Sequence, residues 1–181
     1  MKFTFKKGNH SPQEWWQMRG FHRGVDMKMM FNLDKNAHYY VEYPAKQVND
    51  TNKLFGFSVN MAVGKYENRN TYGLLNSIRV GWDPSGSKNY FDLWLYVRNN
   101  GAMKRKYIAN VPYNADIIAN PVITNIGTPG LWVREYGDIR ADFVTIENIK
   151  FKPKLGVNLR PMHGGDNVVQ NDYTLQLKHV D

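Results

Sequence analysis

Four side chains near the middle of the chain combine the types that recognise sugars, carboxylates or protein surfaces: Arg79, Trp94, Tyr96 and Arg98. They alternate with apolar residues in segments 77–82 and 91–98. If those segments are extended, each has one apolar face and one face rich in aromatics and arginine. Aromatic rings stack on sugar rings or bases, and arginine grips a carboxylate through two parallel hydrogen bonds. The same residue types anchor protein interfaces. A loop or a neighbouring subunit lying over this face would instead make it ordinary core or interface.

Other chemistries lack their residues. Gly20-Phe21-His22-Arg23-Gly24 has neither the lysine nor the strand-to-helix setting of a phosphate-binding loop. Ser85 lies between Gly81 and Gly86 without nucleophile-elbow spacing. The histidines at 10, 22, 38, 163 and 179 show no metal-ligand spacing and no accompanying acidic cluster, so neither a metal nor another cofactor is expected. With no cysteine, disulfides, thiolate metal sites and cysteine nucleophiles are excluded.

The elements that must position the four residues read as strands. Ile78, Val80 and Trp82 form one apolar face, and Phe91, Leu93, Leu95 and Val97 form another. Residues 83–86 (Asp-Pro-Ser-Gly) are a turn signal, and Asn99-Asn100-Gly101 closes a hairpin into residues 104–111. Further strands are expected at 25–31, 39–43, 53–59, 139–151, 156–160 and 173–178, with a turn at 161–166. Residues 112–137, punctuated by Pro121, Gly127, Pro129 and Gly130, read as a long irregular segment. About ten short strands with no helical stripe predict an all-β fold, a jelly-roll-type sandwich of two antiparallel sheets spanning 1–181 as a single domain.

Composition agrees with that class. The 181 residues are 42% hydrophobic and 14% aromatic, enough for a proper core and unlike a disordered chain. The net charge of +8 favours anionic partners, although the positive charges are dispersed and suit a solvated surface equally well. The dense groups are Lys6-Lys7, Lys104-Arg105-Lys106 and the lysines at 150, 152 and 154. No apolar run is long enough for a signal peptide or a membrane span, which predicts a soluble protein of the cytoplasm or of a virion.

Three segments carry a resemblance: Asn52-Lys53-Leu54-Phe55-Gly56-Phe57, Asn76-Ser77-Ile78-Arg79-Val80-Gly81-Trp82 and Phe91-Asp92-Leu93-Trp94-Leu95-Tyr96. They resemble successive strands of concanavalin A-like jelly rolls, especially the small polysaccharide-lyase-type sandwiches. Residues 159–166 and 171–175 are similar to the Gly-Gly turn and closing strand of related sandwiches. The chain also resembles uncharacterised proteins of gut bacteria and their phages. The resemblance implies a sugar-binding concave sheet holding Lys53, Ser77, Arg79 and Tyr96. There a cation would neutralise a uronate carboxylate and a tyrosine would relay a proton. Trp94 stands where the lyases have the first tyrosine of a Tyr-x-Tyr pair, and Phe55 replaces their proline, which weakens the implied activity.

The leading expectation is therefore a non-catalytic structural or adhesion sandwich, a virion component such as a capsid decoration or tail-associated protein, binding other protein subunits. Its ligand or interface face is Lys53, Ser77, Arg79, Trp94, Tyr96 and Arg98. The alternatives are a carbohydrate-binding module for acidic polysaccharide, or a lyase using Lys53, Arg79 and Tyr96. Nucleic acid is a minor option, because basic charge without a recognised module is weak evidence.

Overall fold

The chain forms fourteen β-strands among the described residues. The computed structural model describes residues 1–18, 20–39, 51–65, 72–164 and 169–180. In chain order the strands are β1 (Lys2–Phe5), β2 (Phe21–His22), β3 (Met29–Leu33), β4 (Asn52–Ser58) and β5 (Val63–Lys65). They continue with β6 (Tyr72–Leu74), β7 (Ser77–Pro84), β8 (Tyr90–Asn99), β9 (Ala102–Pro112) and β10 (Ile117–Ile123). The last four are β11 (Pro129–Glu135), β12 (Asp142–Thr145), β13 (Gly156–Leu159) and β14 (Tyr173–His179). Two 3-10 turns, Trp15–Met18 and Lys35–Ala37, are the helical elements of the described residues, and none is long and apolar enough to cross a membrane.

The strands build the expected jelly-roll-type sandwich of two antiparallel sheets. One sheet has the order β1-β14-β3-β10-β11-β12 and the other β2-β13-β4-β7-β8-β9, with β5-β6 as a separate ribbon. The surplus over the expected ten strands comes mostly from short pieces that alternation cannot reveal, such as two-residue β2 and three-residue β5 and β6.

Facing apolar rows join the sheets. Met29, Phe31 and Leu33 point inward from β3, while Met30 and Asn32 turn outward. Phe31 meets Phe55 of β4 and Phe91 of β8 at ring distances of 6.3 Å each, so aromatic edges lock one sheet to the other. Truncating Phe31 to alanine would remove that lock at a cost of about 3–5 kcal/mol. Ile78, Val80, Trp82, Phe91, Leu93, Leu95 and Val97 are all buried, as their alternation requires. The β8–β9 hairpin closes through Asn100 (φ 50°) and Gly101 (φ 86°). Two successive positive φ values are what a type I′ turn needs, and Asn-Gly is the pair best able to adopt them.

Elsewhere the expectations need correcting. Residues 112–137 are not a long irregular segment: they contain β10 and β11, paired in register from Ile117↔Glu135 to Ile123↔Pro129. The prolines do not break the β10–β11 pairing because both turn their backbone polar groups away from it, the Pro121 carbonyl toward Met27 and the Pro129 carbonyl toward Ile146. Pro129 opens β11, and Pro121 falls between the Ala119↔Met29 pair and the Asp26↔Val122 bridge, where its missing N–H interrupts the ladder on the β3 side. The Pro121 carbonyl still accepts the Met27 N–H at 3.2 Å. The strand expected from residue 25 begins at Met29, with Val25 exposed. That expected at 139–151 shrinks to Asp142–Thr145. The turn at 83–86 shifts later, since β7 runs to Pro84 and Ser85 Oγ ties the bend by donating to the Tyr90 carbonyl at 2.8 Å. Of the strand expected at 39–43, Tyr39 is buried outside any strand and the rest lies outside the described residues, as do residues 165–166 of the expected turn.

Candidate functional site

All six residues expected at the site share one face of the second sheet. β7 and β8 pair as Ser77↔Arg98, Arg79↔Tyr96 and Gly81↔Trp94, and Lys53 of β4 pairs with Gly81. Directly opposed residues point to the same side. Alternation thus places Ser77, Arg79, Trp94, Tyr96 and Arg98 together, opposite the core-facing Ile78, Val80, Leu95 and Val97. A bulge between Lys53 and Phe55 restores the inward orientation of Phe55 while leaving Lys53 on the polar face.

β4 reaches this position through glycines. A Cβ on Gly56 would lie 2.2 Å from the Ile78 carbonyl, and one on Gly81 would lie 2.7 Å from Thr51 Cγ2. Both sites exclude a side chain, which lets Thr51 and Lys53 settle beside Trp94 and Tyr96.

The face is less open than a solvent-facing sheet surface. Tyr96 is only 1% exposed, and Lys53 and Ser77 are also buried. The Lys53 ammonium stands 4.9 Å from the Tyr96 ring centre, a cation–π contact strengthened by burial. The Tyr96 hydroxyl accepts from Arg98 Nη2 at 3.0 Å and donates to Met103 Sδ. Arg98 also donates to the Gly101 carbonyl at 3.1 Å, which fixes it to the hairpin turn. Arg79 donates to the Arg160 carbonyl, and Lys53 and Met162 exchange backbone hydrogen bonds of 2.8 Å in both directions. The segment after β13 therefore continues alongside β4 in the sheet, and Arg79 reaches to its backbone.

Arg105 of β9 belongs to the site although the six expected residues omit it. Its guanidinium lies 4.3 Å above the Trp94 ring and reaches Asp83 Oδ2 at 2.5 Å and Thr51 Oγ1 at 2.7 Å. The signal was in the sequence: a two-residue Asn-Gly turn pairs residue 99 with 102, and hence 96 with 105. Burial pushes the Asp83 carboxyl up to about 6, against the opposing pull of Arg105, Lys53 and Thr51. Trp94 meets Tyr107 edge-on at 5.5 Å.

Chemically, the face gathers Lys53, Arg79, Arg98 and Arg105 around two aromatic rings, with Asp83 answering Arg105. It can attract an anion. It does not offer Tyr96 as a proton relay, because that hydroxyl is buried and engaged on both sides. Among the described residues, no group of three or more His, Asp or Glu is placed to hold a metal ion.

A second surface lies on the outer face of the first sheet, in a stretch the irregular reading obscured. Trp132 of β11 and Phe143 of β12 are paired in register and stack at 4.1 Å with 20° between ring planes. Gly130 makes room for this stack, since a Cβ there would come within 2.8 Å of the Phe143 ring. Trp132 is 45% exposed and Ile139, in the connecting loop, 93%; Tyr136 and Phe143 are exposed as well. Arg134 donates to the Asp138 carbonyl at 2.9 Å and so ties the loop to the strand. The alternation Leu131, Val133 inward and Trp132, Arg134 outward was the available clue. No protein-family model, curated protein or solved structure matches the chain.

Proposed function

We propose that the chain is a non-catalytic sandwich that works through protein–protein contacts, as a structural or adhesion subunit of a larger assembly such as a virion. The observation that carries this reading is the β11–β12 hairpin. Trp132, Tyr136, Ile139 and Phe143 are exposed within one short stretch of chain that also holds Arg134 and Arg140. Tryptophan, tyrosine and arginine dominate the energetics of protein interfaces, and clustered exposed apolar side chains mark contact surfaces. The burial of Tyr96 supports the same reading by weakening the lyase alternative.

The test is the size of the protein in its native source. A tagged chain should migrate within a large assembly, and the double variant Trp132→Ser/Phe143→Ser should migrate as free protein while keeping its β-sheet circular dichroism. A wild-type chain that runs free in its native setting would end the proposal.

Binding of an acidic polysaccharide is the second reading. It is favoured by the four cations around Trp94 and Tyr96 and by the resemblance to concanavalin A-like sandwiches of the polysaccharide-lyase type. A panel of uronate polymers decides it. Retention that is unchanged in Arg105→Ala and Trp94→Ala would remove it.

A further inference from the structure

We infer that the pocket beside Trp132 receives one apolar side chain from a partner protein, flanked in that partner by a carboxylate. This rests on the protein-contact reading and specifies the chemistry of the contact. The pocket has a volume of about 140 Å³ and lies on the outer face of the first sheet. Ile118, Trp132 and Ala141 supply its apolar wall, with Lys28, Asn120 and Arg134 around them.

Size sets the occupant. A volume near 140 Å³ is well below the roughly 300 Å³ at which cofactor and drug-sized sites begin. It is close to the cavity of about 150 Å³ that accepts benzene when lined by apolar groups. One leucine-to-phenylalanine-sized side chain fits that space.

Polarity separates a side chain from a sugar. A sugar ring requires several hydrogen-bonding partners at fixed positions. Here Asn120 Oδ1 already accepts the Met27 N–H at 3.1 Å, and Arg134 Nη1 already donates to the Asp138 carbonyl. What faces the pocket is chiefly hydrocarbon and the Trp132 ring. That ring is held from behind by Phe143, so the wall is formed before anything binds.

Charge supplies the second half of the inference. Both charged residues lining the pocket, Lys28 and Arg134, are cations, in a chain of net charge +8. A carboxylate beside the inserted group would meet them at the rim, where complementarity favours the right partner and speeds encounter.

The probes are two capped tripeptides, acetyl-Asp-Phe-Asp-amide and acetyl-Lys-Phe-Lys-amide, titrated into the isotope-labelled full chain and followed by NMR. The acidic probe should shift the Trp132 indole and Ala141 methyl signals and bind about fivefold more tightly than the basic one. Ala141→Phe, which fills the pocket, should abolish the response, and Lys28→Glu should erase the preference for the acidic probe. Equal affinity for the two probes, no saturable shift at Trp132, or an unchanged response in folded Ala141→Phe would overturn the inference. The broader reading is judged separately by assembly size. If Trp132→Ser/Phe143→Ser disperses the assembly while Ala141→Phe leaves it intact, the pocket is not the contact and the protein-contact reading stands. If neither variant changes assembly, that reading fails.

Discussion

Arg105 and Asp83 meet across the full width of a strand: one sits on β9, the other on β7, and their 2.5 Å ion pair passes over β8. Trp94 is the saddle on which the guanidinium lies. Each group is about one-fifth exposed, so the pair is neither a surface bridge nor a sealed one.

Removing the guanidinium should therefore be costly. Arg105→Ala leaves Asp83 desolvated without its main counter-charge, and a loss of about 2 kcal/mol is expected. The Asp83 carboxyl should rise further above about 6, because burial then acts with less opposition. Carboxyl-carbon NMR titration of the variant reads this directly. A lowered value would mean that the ion pair does not govern the site.

Acid should act on two groups in opposite directions. Asp83 is raised from 3.8 to about 6 in the fold, so its contribution to stability is full below the lower value and lost as pH rises through about 6. His163 lies among Tyr39, Trp82 and Tyr173 and is depressed from 6.5 to about 4, chiefly by burial. Its contribution is present above 6.5 and lost as pH falls through about 4. Each effect is on the order of 3 kcal/mol, and the windows nearly coincide. In the wild type they should largely cancel. Urea unfolding across this range should show Asp83→Asn losing stability on acidification and His163→Phe gaining it; parallel profiles for all three proteins would refute the assignment.

Glycine positions offer a sharp comparison. Gly56→Ala drives a methyl group against the Ile78 carbonyl beside the bulge, whereas Gly86 has nothing within 4 Å of its would-be Cβ. The first change should destabilise by about 3 kcal/mol or more and the second by under about 1. Thermal melts of the two variants would separate the cases, and similar melting temperatures would contradict the close approach of β4 to β7.

Among the described residues strand β9 ends its sheet, and its lysines guard that edge. Lys104 and Lys106 pair in register with the buried Val97 and Leu95, so they spring from the core-facing side of an edge strand. Lys106 reaches the Thr145 carbonyl at 3.1 Å. A charge pointing inward at an edge deters another strand from pairing there. Replacing both with valine should raise light scattering at unchanged or higher melting temperature. A variant that stays monomeric at high concentration would show that the edge is guarded by something else.

The central hairpin was legible because its core-facing apolar residues recur at every second position, and Asn100-Gly101 leaves one sensible register. The same arithmetic would have added Arg105 to the face. Burial of that face was not legible, since it depends on partners distant in sequence, as the Arg79–Arg160 contact illustrates. Residues 112–137 were misread because Pro121 and Pro129 look like breaks until their partners are known. Only the pairing shows that both prolines face away from the β10–β11 ladder.

Strand β14 occupies the slot between β1 and β3, pairing Lys2 with Gln176 on one side and Leu33 with Leu175 on the other. A ribosome releases β1 and β3 long before it has made residues 173–179. Until then the first sheet is split, and two strand edges are without the neighbour that joins them. Contacts that span nearly the whole chain close late and make folding slow. Nascent chains would therefore expose pairing-competent backbone until β14 emerges, which is when wrong partners, including other copies, have their opportunity.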